Sequence, residues 1–380
     1  MRIAVLGLGN VGLAFVKALA EDSINLEFVR FCDASCERLE MARGILGFGE
    51  AIQSDLSSVD GIAKCVEGVD VVIDALPSRL SPSVFRVCGS RCVDVLSVSF
   101  VAEDPFRYHE LFERCGRRLV VDAGIAPGLS NIIAANIVSQ LDVVDELGIY
   151  VGGLPSEPVG VLNYVVTWSA EDLIEEYVRK ARILRNGSVT EVDPLEDVEI
   201  IEIPGMGRFE AFYSDGLRTM LKTLTGKVRN MYEKTIRWPG HLEKIKLLRD
   251  LGFFDSEPIE VGGVKVVPKI FTARILEKRL KGFARDFVLM YIVGQGVRSG
   301  VAKTIRYLVK VGFDEERGLS AMSKATGFTA YAVFREVFIE GRVGAYGVVP
   351  PEVLGFDENT FSDVISYLRS KGVEVREFVE

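Results

Sequence analysis

The residues near the N-terminus have the types and the spacing of a dinucleotide-binding loop. The segment Gly7-Leu8-Gly9-Asn10-Val11-Gly12 has the pattern G-x-G-x-x-G. In such a loop the first glycine permits a tight turn, the second lets a pyrophosphate approach the backbone, and the third lets the following helix pack closely on the strand. The N–H groups and partial positive charge at the start of that helix attract the anion. We therefore expect cofactor contacts from Gly7, Gly9, Asn10, Val11 and Gly12.

A strand before this loop and an acidic residue after it support the same interpretation. Residues 3–6 form an apolar run typical of a buried parallel strand, and residues 26–32 form the next predicted strand. Asp33 closes that strand 21 residues after Gly12, where a carboxylate accepts hydrogen bonds from the adenosine ribose. Because this carboxylate repels the extra phosphate of NADP, we expect the cofactor to be NAD, while Arg38 and Arg43 leave NADP open.

Strand and helix patterns continue to alternate as far as residue 122, with six predicted strands in all. This alternation is typical of the α/β fold class, and specifically of a Rossmann doubly wound parallel sheet with right-handed crossovers. Ligands of these sheets lie beyond the carboxyl ends of the strands. We therefore expect further cofactor contacts from the residues that follow the later strands: Asp55, Ala75, Leu76, Pro77, Ser97, Asp122, Gly124 and Pro127.

The length of the chain and a change in its pattern indicate two domains. A chain of 380 residues exceeds what one hydrophobic core usually serves. We expect a Rossmann domain at 1–124 and an α+β domain with a mixed or antiparallel sheet at 125–318, which binds substrate and forms a dimer. A helix at about 319–341 is expected to pack back on the first domain, and 342–380 form a C-terminal segment.

The composition argues against two classes of function. A net charge of −9, without a concentrated basic block, disfavours a nucleic-acid partner. No apolar run approaches the roughly 20 residues that span a bilayer, so we expect no membrane partner. The predicted strand and glycine turn begin at once, unlike a signal peptide, and we therefore expect a cytoplasmic protein.

All six cysteines lie in the first third of the chain. The spacings of Cys32 with Cys36 and of Cys88 with Cys92 are compatible with a metal site or a disulfide. Cys32 and Cys92 fall in predicted strands, however, and His109 is the only histidine in that region. We therefore expect unpaired cysteines that pack as small apolar side chains in a reducing compartment, and no metal.

Several motifs beyond the predicted sheet resemble those of one family. They include YVGGLP at 150–155, YVVTWS at 164–169, SDGLR at 214–218 and KTIRWPGH at 234–241. Shorter matches lie at 122–131, 185–187, 210–212 and 347–351. These motifs occur in the right order along nearly the whole chain. They resemble the saccharopine dehydrogenase-like superfamily, and most closely its L-lysine 6-dehydrogenase branch.

The resemblance implies a reaction. Members of that branch use NAD to oxidise the ε-amine of L-lysine to 2-aminoadipate 6-semialdehyde, which cyclises to piperideine-6-carboxylate, with release of ammonia. The resemblance also implies a homodimer and a small amino-acid substrate. Two positions depart from it: some relatives have a histidine where this chain has Ser97-Val98-Ser99, and Trp238 stands where tyrosine is frequent. No catalytic role is therefore transferred to 97–99.

This reaction requires a base and a cationic group. The lysine ammonium has a pKa near 10.4, so freeing its lone pair at pH 7 costs about 4 to 5 kcal/mol. A base in the site must accept the proton, or desolvation must lower the pKa of the ammonium, or both. A cation must also bind the substrate carboxylate. The candidate catalytic residues are His241, Asp122, Arg237 and Thr235. The candidate substrate-binding residues, which match the family, are Tyr164, Ser169, Arg218 and Asn131.

Each catalytic candidate also has a structural interpretation. His241 either contacts the substrate or takes part in proton transfer, or it only begins a helix. Arg237 either binds a carboxylate with its planar guanidinium or forms a surface or interdomain ion pair. Asp122 either orients the amine or caps the turn at Gly124. Thr235 and Arg237 share one face of a predicted strand because they are two residues apart.

Two other functions remain open. A saccharopine dehydrogenase or a carboxyspermidine-type reductase acts on a larger secondary amine with extra carboxylates, so a second arginine in the pocket would favour it. Arg218 and Arg208 are available for that role. A non-catalytic NAD-binding regulator would bind NAD tightly but would not reduce it with any amine. The motif at 234–241 disfavours the regulator, because a binding module would not need it.

Overall fold

The structure of the protein is a computed structural model that describes residues 1–22, 24–166, 169–280, 282 and 284–380. Thr167 and Trp168, which belong to one of the family motifs, lie outside the described residues. The strands are β1 (Arg2–Leu6), β2 (Phe28–Asp33), β3 (Glu50–Gln53), β4 (Val71–Asp74), β5 (Asp94–Ser97), β6 (Arg118–Val120), β7 (Val143–Pro155), β8 (Ala181–Arg185), β9 (Ser188–Val192), β10 (Glu199–Ile203), β11 (Gly207–Ser214), β12 (Val228–Arg237), β13 (Ile259–Val261), β14 (Val264–Val266), β15 (Asp286–Arg298), β16 (Val301–Gly312), β17 (Gly347–Val349) and β18 (Glu374–Val379).

The helices alternate with these strands in the first third of the chain and recur at its end. They are α1 (Asn10–Ala20), α2 (Cys36–Leu46), α3 (Val59–Val66), α4 (Ser81–Ser90), α5 (His109–Glu113), α6 (Leu129–Ser139), α7 (Ala170–Val178), α8 (Met220–Thr223), α9 (Leu242–Asp250), α10 (Pro268–Leu280), α11 (Ala321–Phe334), α12 (Glu352–Phe356) and α13 (Glu358–Ser370). A 3₁₀ turn at Pro105–Tyr108 precedes α5, and a π-helical turn at Arg335–Ile339 continues α11.

The chain forms two compact units. The first comprises Met1–Ser139 with Asp314–Glu374, and the second comprises Gln140–Phe313 with Val375–Glu380. The first unit therefore extends beyond residue 124, where the sequence placed the end of the Rossmann domain. The physical reason is the packing of α6 against α12. A Cβ atom on Gly355 would lie only 2.0 Å from the carbonyl oxygen of Ile132, so the two backbones are in direct contact.

A seven-stranded sheet with the order β17-β6-β5-β4-β1-β2-β3 is the centre of the first unit. All its neighbouring strands are parallel. The order from β3 to β6 is that of a Rossmann fold, which confirms the predicted fold class. The prediction of six strands missed β17. The chain order reverses between β1 and β4, and ligands of such sheets bind at the carboxyl ends of the strands beside this point.

Helix α11 packs on α1 within this unit. The ring of Phe15 meets Tyr331 and Phe334 edge-on, with centroid distances of 5.7 and 5.8 Å. Gly327 permits a close crossing, because a Cβ atom there would lie 2.6 Å from the Cβ of Ala14. The C-terminal part of the chain thus supports the helix that follows the glycine loop.

The second unit contains a mixed sheet of nine strands. Its main order is β10-β11-β12-β7-β15-β16-β18, and the hairpin of β8 and β9 joins at β12. Strands β12 and β7 run parallel in this sheet, whereas the pairs β10–β11, β11–β12, β7–β15, β15–β16 and β8–β9 are antiparallel. The predicted α+β character of the second domain is therefore confirmed.

The alternation of apolar residues at 162–167 predicts a strand, and this prediction is wrong for the described part of that segment. Leu162 and Asn163 lie in a turn, and Val166 makes only a single bridge. Leu162, Tyr164 and Val166 are instead buried in one core with α7, α9 and α10. The alternation of apolar side chains reflects this packing and not a strand.

The expectation of unpaired cysteines is also wrong. Cys32 forms a disulfide with Cys65, and Cys92 forms one with Cys115. Neither disulfide joins two cysteines that are four residues apart, which was the spacing noted in the sequence. The bonded cysteines are distant in sequence and meet only in the folded chain, where β2 lies beside α3 and the end of α4 lies beside α5. Cys36 and Cys88 are the free thiols.

The described residues contain neither a candidate membrane-spanning helix nor a candidate metal cluster. None of the helices in the described ranges is both long enough and apolar enough to cross a membrane. No group of three or more histidine, cysteine or acidic side chains within those ranges is placed to hold a metal ion.

Candidate functional site

The glycine loop connects β1 to α1, and its conformation requires glycine at two positions. Gly7 has φ +86°, and a Cβ atom there would lie 2.7 Å from the carbonyl oxygen of Ala75. A Cβ on Gly12 would lie 2.0 Å from the carbonyl oxygen of Gly7. A Cβ on Gly9, in contrast, would meet no atom of the described chain within 4 Å. Gly7 and Gly12 are therefore required by the protein itself, whereas Gly9 borders open space that a ligand can enter.

The start of α1 faces the same open space. Gly9 precedes the helix and carries no side chain that could cap it, and the first turn contains no acidic residue. Gly9 and Asn10 are exposed and Val11 is half-buried. The backbone N–H groups of this turn and the positive end of the helix dipole can therefore bind an anion such as a pyrophosphate.

Asp33 lies against this loop at the end of β2. Its Oδ2 accepts a hydrogen bond from the N–H of Leu8 at 2.7 Å, and its Oδ1 accepts one from the N–H of Ser35 at 2.8 Å. The carbonyl oxygen of Cys32 accepts a bond from Gly7 N–H at 2.9 Å. The carboxylate thus has a defined position beside the glycine loop. A contact of Asp33 with a ribose stays a prediction.

A buried polar network holds the segment after β4. The side chain of Asp74 is fully buried, its Oδ1 accepts from Leu76 N–H at 3.2 Å, and its Oδ2 accepts from the hydroxyl of Ser97 at 2.8 Å. Ser99 donates to the carbonyl oxygen of Leu76 at 2.7 Å. Burial raises the pKa of Asp74 to about 6. The network fixes the course of Ala75 and Leu76, and sequence reasoning missed the role of Asp74.

The turn after β6 positions Asp122. This residue is buried and has φ +53°, a left-handed conformation that is uncommon outside glycine. The N–H of Ala123 donates to the carbonyl oxygen of Ser97 at 2.9 Å, so Asp122 follows β6 directly beside the end of β5. Gly124 N–H donates to the carbonyl oxygen of Pro127 at 3.2 Å, which closes the turn.

Two predicted site residues of the first unit have structural partners instead of an open position. Asn131 is buried, and its Oδ1 accepts from Gly128 N–H at 2.9 Å while its Nδ2 donates to Glu352 at 3.3 Å. Asp55 is exposed and accepts from both the N–H and the hydroxyl of Ser57. Asn131 therefore holds the turn at the start of α6, and Asp55 holds the turn before α3.

The second unit contains a polar group, buried except for the half-buried Glu176, that we call the His241 cluster: Tyr164, Glu176, Tyr177, Arg237 and His241. His241 Nδ1 lies 2.7 Å from the carbonyl oxygen of Leu162, which can only accept, so Nδ1 carries the proton. His241 Nε2 then accepts the hydroxyl hydrogen of Tyr177 at 2.8 Å. Burial, together with the charge of Arg237, lowers the pKa of His241 to about 3. The imidazole is therefore neutral at pH 7 and both its nitrogens are used.

Arg237 joins the same cluster. Its guanidinium forms an ion pair with Glu176 and lies 4.7 Å from the centre of the Tyr164 ring. Burial raises the pKa of Glu176, while the charge of Arg237 acts in the opposite direction. The ion pair of Arg237 is thus neither at the surface nor between domains, because the guanidinium is buried and both partners belong to the second unit. A contact of Arg237 with a substrate carboxylate stays a prediction.

Thr235 shares the face of β12 with Arg237, and Glu233 is the next residue along that face. Thr235 lies opposite Phe212 of β11, and Glu233 lies opposite Ser214. The carboxylate of Glu233 is buried, and it accepts from the Ser214 hydroxyl at 3.1 Å. Burial raises its pKa to about 8. Sequence reasoning missed Glu233, because an acid between Tyr232 and Lys234 looks like any exposed charged residue of a strand.

The remaining candidates of the second unit lie at helix and turn ends. Ser169 is exposed, and its hydroxyl accepts from Asp172 N–H at 3.2 Å, so it is the N-cap of α7. Arg218 is buried and has φ +52° in the turn before α8. Their roles toward a substrate stay predictions.

The structure thus brings the predicted residues together in two separate groups. Within the first unit, the glycine loop, Asp33, the segment 75–77, Ser97 and Asp122 follow adjacent parallel strands at their carboxyl ends. Within the second unit, Tyr164, Arg237 and His241 form one cluster. The first group can bind a dinucleotide, and the second is a connected set of buried hydrogen bonds and charges.

Comparison with protein families gives two matches. Residues 3–120 match the family model "Saccharopine dehydrogenase NADP binding domain", and residues 124–373 match "Saccharopine dehydrogenase C-terminal domain". The two matches together cover nearly the whole chain and meet at the turn that holds Asp122 and Gly124.

Individual relatives are distant in sequence. The alpha-aminoadipic semialdehyde synthase of Arabidopsis thaliana is 22% identical over 297 residues, which are 73% of this chain and 28% of that protein. The saccharopine dehydrogenase [NADP(+), L-glutamate-forming] of Schizosaccharomyces pombe is 21% identical over 58% of this chain and 52% of its own length. The chain therefore spans between about a quarter and about half of these two relatives.

Two further similarities extend over the full length. The carboxynorspermidine synthase of Vibrio alginolyticus is 20% identical over 94% of this chain and 93% of its own. Among solved structures, the apo saccharopine dehydrogenase (L-Glu forming) of Saccharomyces cerevisiae has a TM-score of 0.82 and 17% identity, covering 100% of this chain and 99% of that one. This structural similarity shows a shared fold.

Proposed function

Because the chain belongs to the saccharopine dehydrogenase family, we propose that it is an NAD(P)-dependent oxidoreductase that acts on a carbon–nitrogen bond of a lysine-related amine. The observation that carries this proposal is the match of both parts of the chain, 3–120 and 124–373, to the two domains of that family. The open space at Gly9 is an independent physical argument for a ligand at the loop.

Within this class we propose L-lysine as the substrate. L-Lysine, NAD⁺ and water would give 2-aminoadipate 6-semialdehyde, NADH, ammonium and one proton, and the aldehyde would then cyclise. The family motifs at 150–155, 214–218 and 234–241 support this reaction. The name of the Arabidopsis relative, alpha-aminoadipic semialdehyde synthase, refers to the same aldehyde.

The residues of the first unit fit a nicotinamide dinucleotide. The N–H groups at the start of α1 would hold its pyrophosphate, and the open face of Gly9 leaves room for it. When bound, the cofactor supplies the hydride acceptor. The carboxylate of Asp33, whose position Leu8 and Ser35 hold, would repel a 2′-phosphate, and we therefore propose NAD over NADP.

We assign the proton acceptor to Asp122 and a positioning role to His241. Asp122 is a buried carboxylate at the strand ends where ligands of this fold bind. His241 is a poor base, because its pKa is about 3 and both ring nitrogens already have partners. We propose that the hydrogen bonds of His241 hold Tyr177 and the segment at Leu162.

A second candidate is the oxidation of saccharopine or of a related secondary amine. The relatives named for saccharopine dehydrogenase and carboxynorspermidine synthase favour it. The reaction would transfer a hydride from the same kind of carbon, and water would release an amino acid instead of ammonia. A third candidate, a non-catalytic NAD-binding regulator, would use the glycine loop alone.

A substrate assay with two cofactors tests these alternatives. We would follow NAD(P)H formation by near-ultraviolet absorbance with L-lysine and with saccharopine, each with NAD and with NADP. Formation of NADH and ammonia with L-lysine is the expected result. Turnover with saccharopine alone, with release of glutamate, would move the function to the second candidate. Tight NAD binding without turnover of any amine would favour the third candidate, the non-catalytic regulator.

A further inference from the structure

Glu233 of β12 is a buried acid with one unused oxygen. Its side chain belongs to a residue that is only 4% exposed. Its Oε1 accepts a hydrogen bond from the Ser214 hydroxyl at 3.1 Å, whereas its Oε2 has no hydrogen-bond partner among the residues that the structure describes. On the side of β7, the residue paired with Glu233 is the apolar Ile149. A buried carboxylate is costly to ionise without a partner, because burial removes the water that would solvate its charge.

The two acids that act on Glu233 already have cations of their own. Asp215 accepts two hydrogen bonds from the guanidinium of Arg182, at 2.9 and 2.8 Å, and Glu176 forms its ion pair with Arg237. Burial raises the pKa of Glu233 to about 8, and the negative charges of Asp215 and Glu176 add to this effect. Among these five described residues, three carboxylates share two guanidinium groups. One more positive charge is needed before Glu233 can ionise at neutral pH.

The segment 214–218, one of the family motifs, encloses the Glu233 carboxylate. Ser214 lies opposite Glu233 in the pairing of β11 with β12 and supplies its hydroxyl. A Cβ atom on Gly216 would lie 1.6 Å from Glu233 Oε1, so any larger residue there would displace the carboxylate. Glu233 also directly precedes the motif at 234–241. Two family motifs therefore determine where this carboxylate lies, although neither includes it.

We propose that the Glu233 carboxylate binds the α-ammonium group of the amino-acid substrate, while the Ser214 hydroxyl holds its other oxygen. This assignment rests on the proposed function, because it takes L-lysine as the ligand. The ammonium supplies the missing positive charge, and hydrogen bonds between two charged groups are strong. On binding, Glu233 releases its proton to water.

The chemistry of the reaction distinguishes the two amines of L-lysine. The ε-amine must lose its proton before a hydride can leave the carbon that bears it. A carboxylate beside that amine would favour the charged form and would oppose the reaction. The α-amine takes no part in the oxidation and keeps its charge throughout. It is therefore the ammonium that a carboxylate can hold without cost to the reaction.

The affinity for L-lysine should then follow the ionisation of Glu233. Since its pKa is about 8, the carboxyl group is mostly protonated at pH 7 and must lose its proton to accept the ammonium. From about pH 7 to about pH 8.5 the ionised fraction grows roughly 8-fold. 6-Aminohexanoate has the same chain, carboxylate and ε-amine as L-lysine but no α-ammonium. The dissociation constant of 6-aminohexanoate divided by that of L-lysine should therefore rise roughly 8-fold over this pH range.

The test is calorimetric titration of both ligands into the full chain with NADH bound, which permits binding without turnover. Glu233→Gln keeps the size of the side chain and an acceptor for Ser214 but cannot carry a charge. It should raise the dissociation constant of L-lysine about 10-fold to 100-fold at about pH 8.5, and change that of 6-aminohexanoate by less than about 2-fold. The ratio should no longer depend on pH. Glu202→Gln replaces an exposed glutamate of β10 and should change neither constant.

A second variant keeps the test valid if Glu233→Gln does not fold. Ser214→Ala removes a hydrogen bond that favours the ionised form of Glu233. Its midpoint of ionisation should move to higher pH, and the ratio of the two constants at about pH 8.5 should fall about 3-fold. An unchanged ratio in this variant would contradict the proposal.

Several other results would overturn it. A wild type that oxidises L-lysine but binds 6-aminohexanoate equally well would refute the role of Glu233 and leave the proposed function intact. Equal weakening of both ligands in Glu233→Gln would show that the residue only supports the fold. A large fall in the kcat of Glu233→Gln with an unchanged dissociation constant would assign it to proton transfer. If the wild type neither binds nor oxidises L-lysine, the proposed function fails and this assignment fails with it.

Discussion

The glycine loop of the first unit and the His241 cluster of the second unit are both candidate sites in the sequence, but they differ in whether their polar groups are open to a ligand. In the loop, the polar groups are backbone N–H groups at a helix start, and a side chain on Gly9 would point into open space. In the cluster, Tyr177, Glu176 and Leu162 already serve as partners of His241 and Arg237. Histidine and arginine are therefore weaker indicators of a binding site here than three glycines.

The largest expected effect comes from filling the space at Gly9. Gly9→Val should weaken NAD binding more than about 1000-fold, or about 4 kcal/mol, because the side chain would occupy the place of the pyrophosphate. The fold should persist, since no described atom lies within 4 Å of the added Cβ. Gly44→Val, in α2 and equally open, is the control. Titration of NAD against intrinsic fluorescence measures both, and equal affinities would refute the loop as the binding site.

The second prediction compares Asp122 with His241 directly. Asp122→Asn should lower kcat about 100-fold to 1000-fold with little change in NAD affinity, because a general base typically contributes this much. His241→Asn should lower the free energy of unfolding by about 1 to 3 kcal/mol, since a buried hydrogen-bond partner is lost. Its pH profile of kcat should match that of the wild type above pH 5, because the pKa of His241 is about 3. If the kcat profile of His241→Asn lacked a titration step that the wild type shows, His241 would be the base and Asp122 the positioning residue.

A third prediction concerns pH and the buried acid of the first unit. The pKa of Asp74 is raised from 3.8 to about 6 in the folded chain, so folding favours the protonated form. As the pH rises from about 4 to 7, the wild type should lose up to about 3 kcal/mol of stability relative to Asp74→Asn, which cannot titrate. Urea unfolding at several pH values measures this difference. The control is Asp60→Asn, because Asp60 is exposed. If the stability difference between the wild type and Asp74→Asn did not change with pH, the prediction would be contradicted.

The smallest expected effect concerns cofactor choice. Asp33→Asn removes the negative charge beside the loop but keeps an oxygen that can accept the Leu8 N–H bond. The ratio of NAD affinity to NADP affinity should fall about 10-fold, or about 1.4 kcal/mol. Parallel titrations with NAD and NADP measure the ratio. An unchanged ratio would mean that other residues select the cofactor and would weaken the proposal of NAD.

Regular local patterns made much of the fold predictable. The dipeptide Asn186-Gly187 predicts a hairpin turn, and it joins β8 to β9. The sequence likewise predicts helices at 59–66 and at 170–178, and α3 and α7 have these bounds, because capping residues such as Ser169 determine where a helix begins. The strand predicted at 162–167 failed because its apolar side chains fill a core between helices. Local alternation cannot distinguish these two causes of burial.

The candidate site was predictable in part for the same reason. Gly7, Gly12 and Asp33 are close in sequence and follow a strict spacing. The Asp74 network and the disulfides Cys32–Cys65 and Cys92–Cys115 join residues from different strands and helices, at separations of 33 and 23 residues for the disulfides. No spacing rule identifies such contacts, because their distances arise only when the parallel strands are aligned.

The sequence by itself determined the Rossmann class, the glycine loop and the family resemblance, since all three depend on short-range order along the chain. Only the tertiary structure decided which polar residues have partners. Burial withdraws water from His241, Arg237 and Asp74, and each must then find a hydrogen bond or an ion pair inside the protein. The availability of a side chain for chemistry therefore depends on its neighbours in space, which its residue type does not reveal.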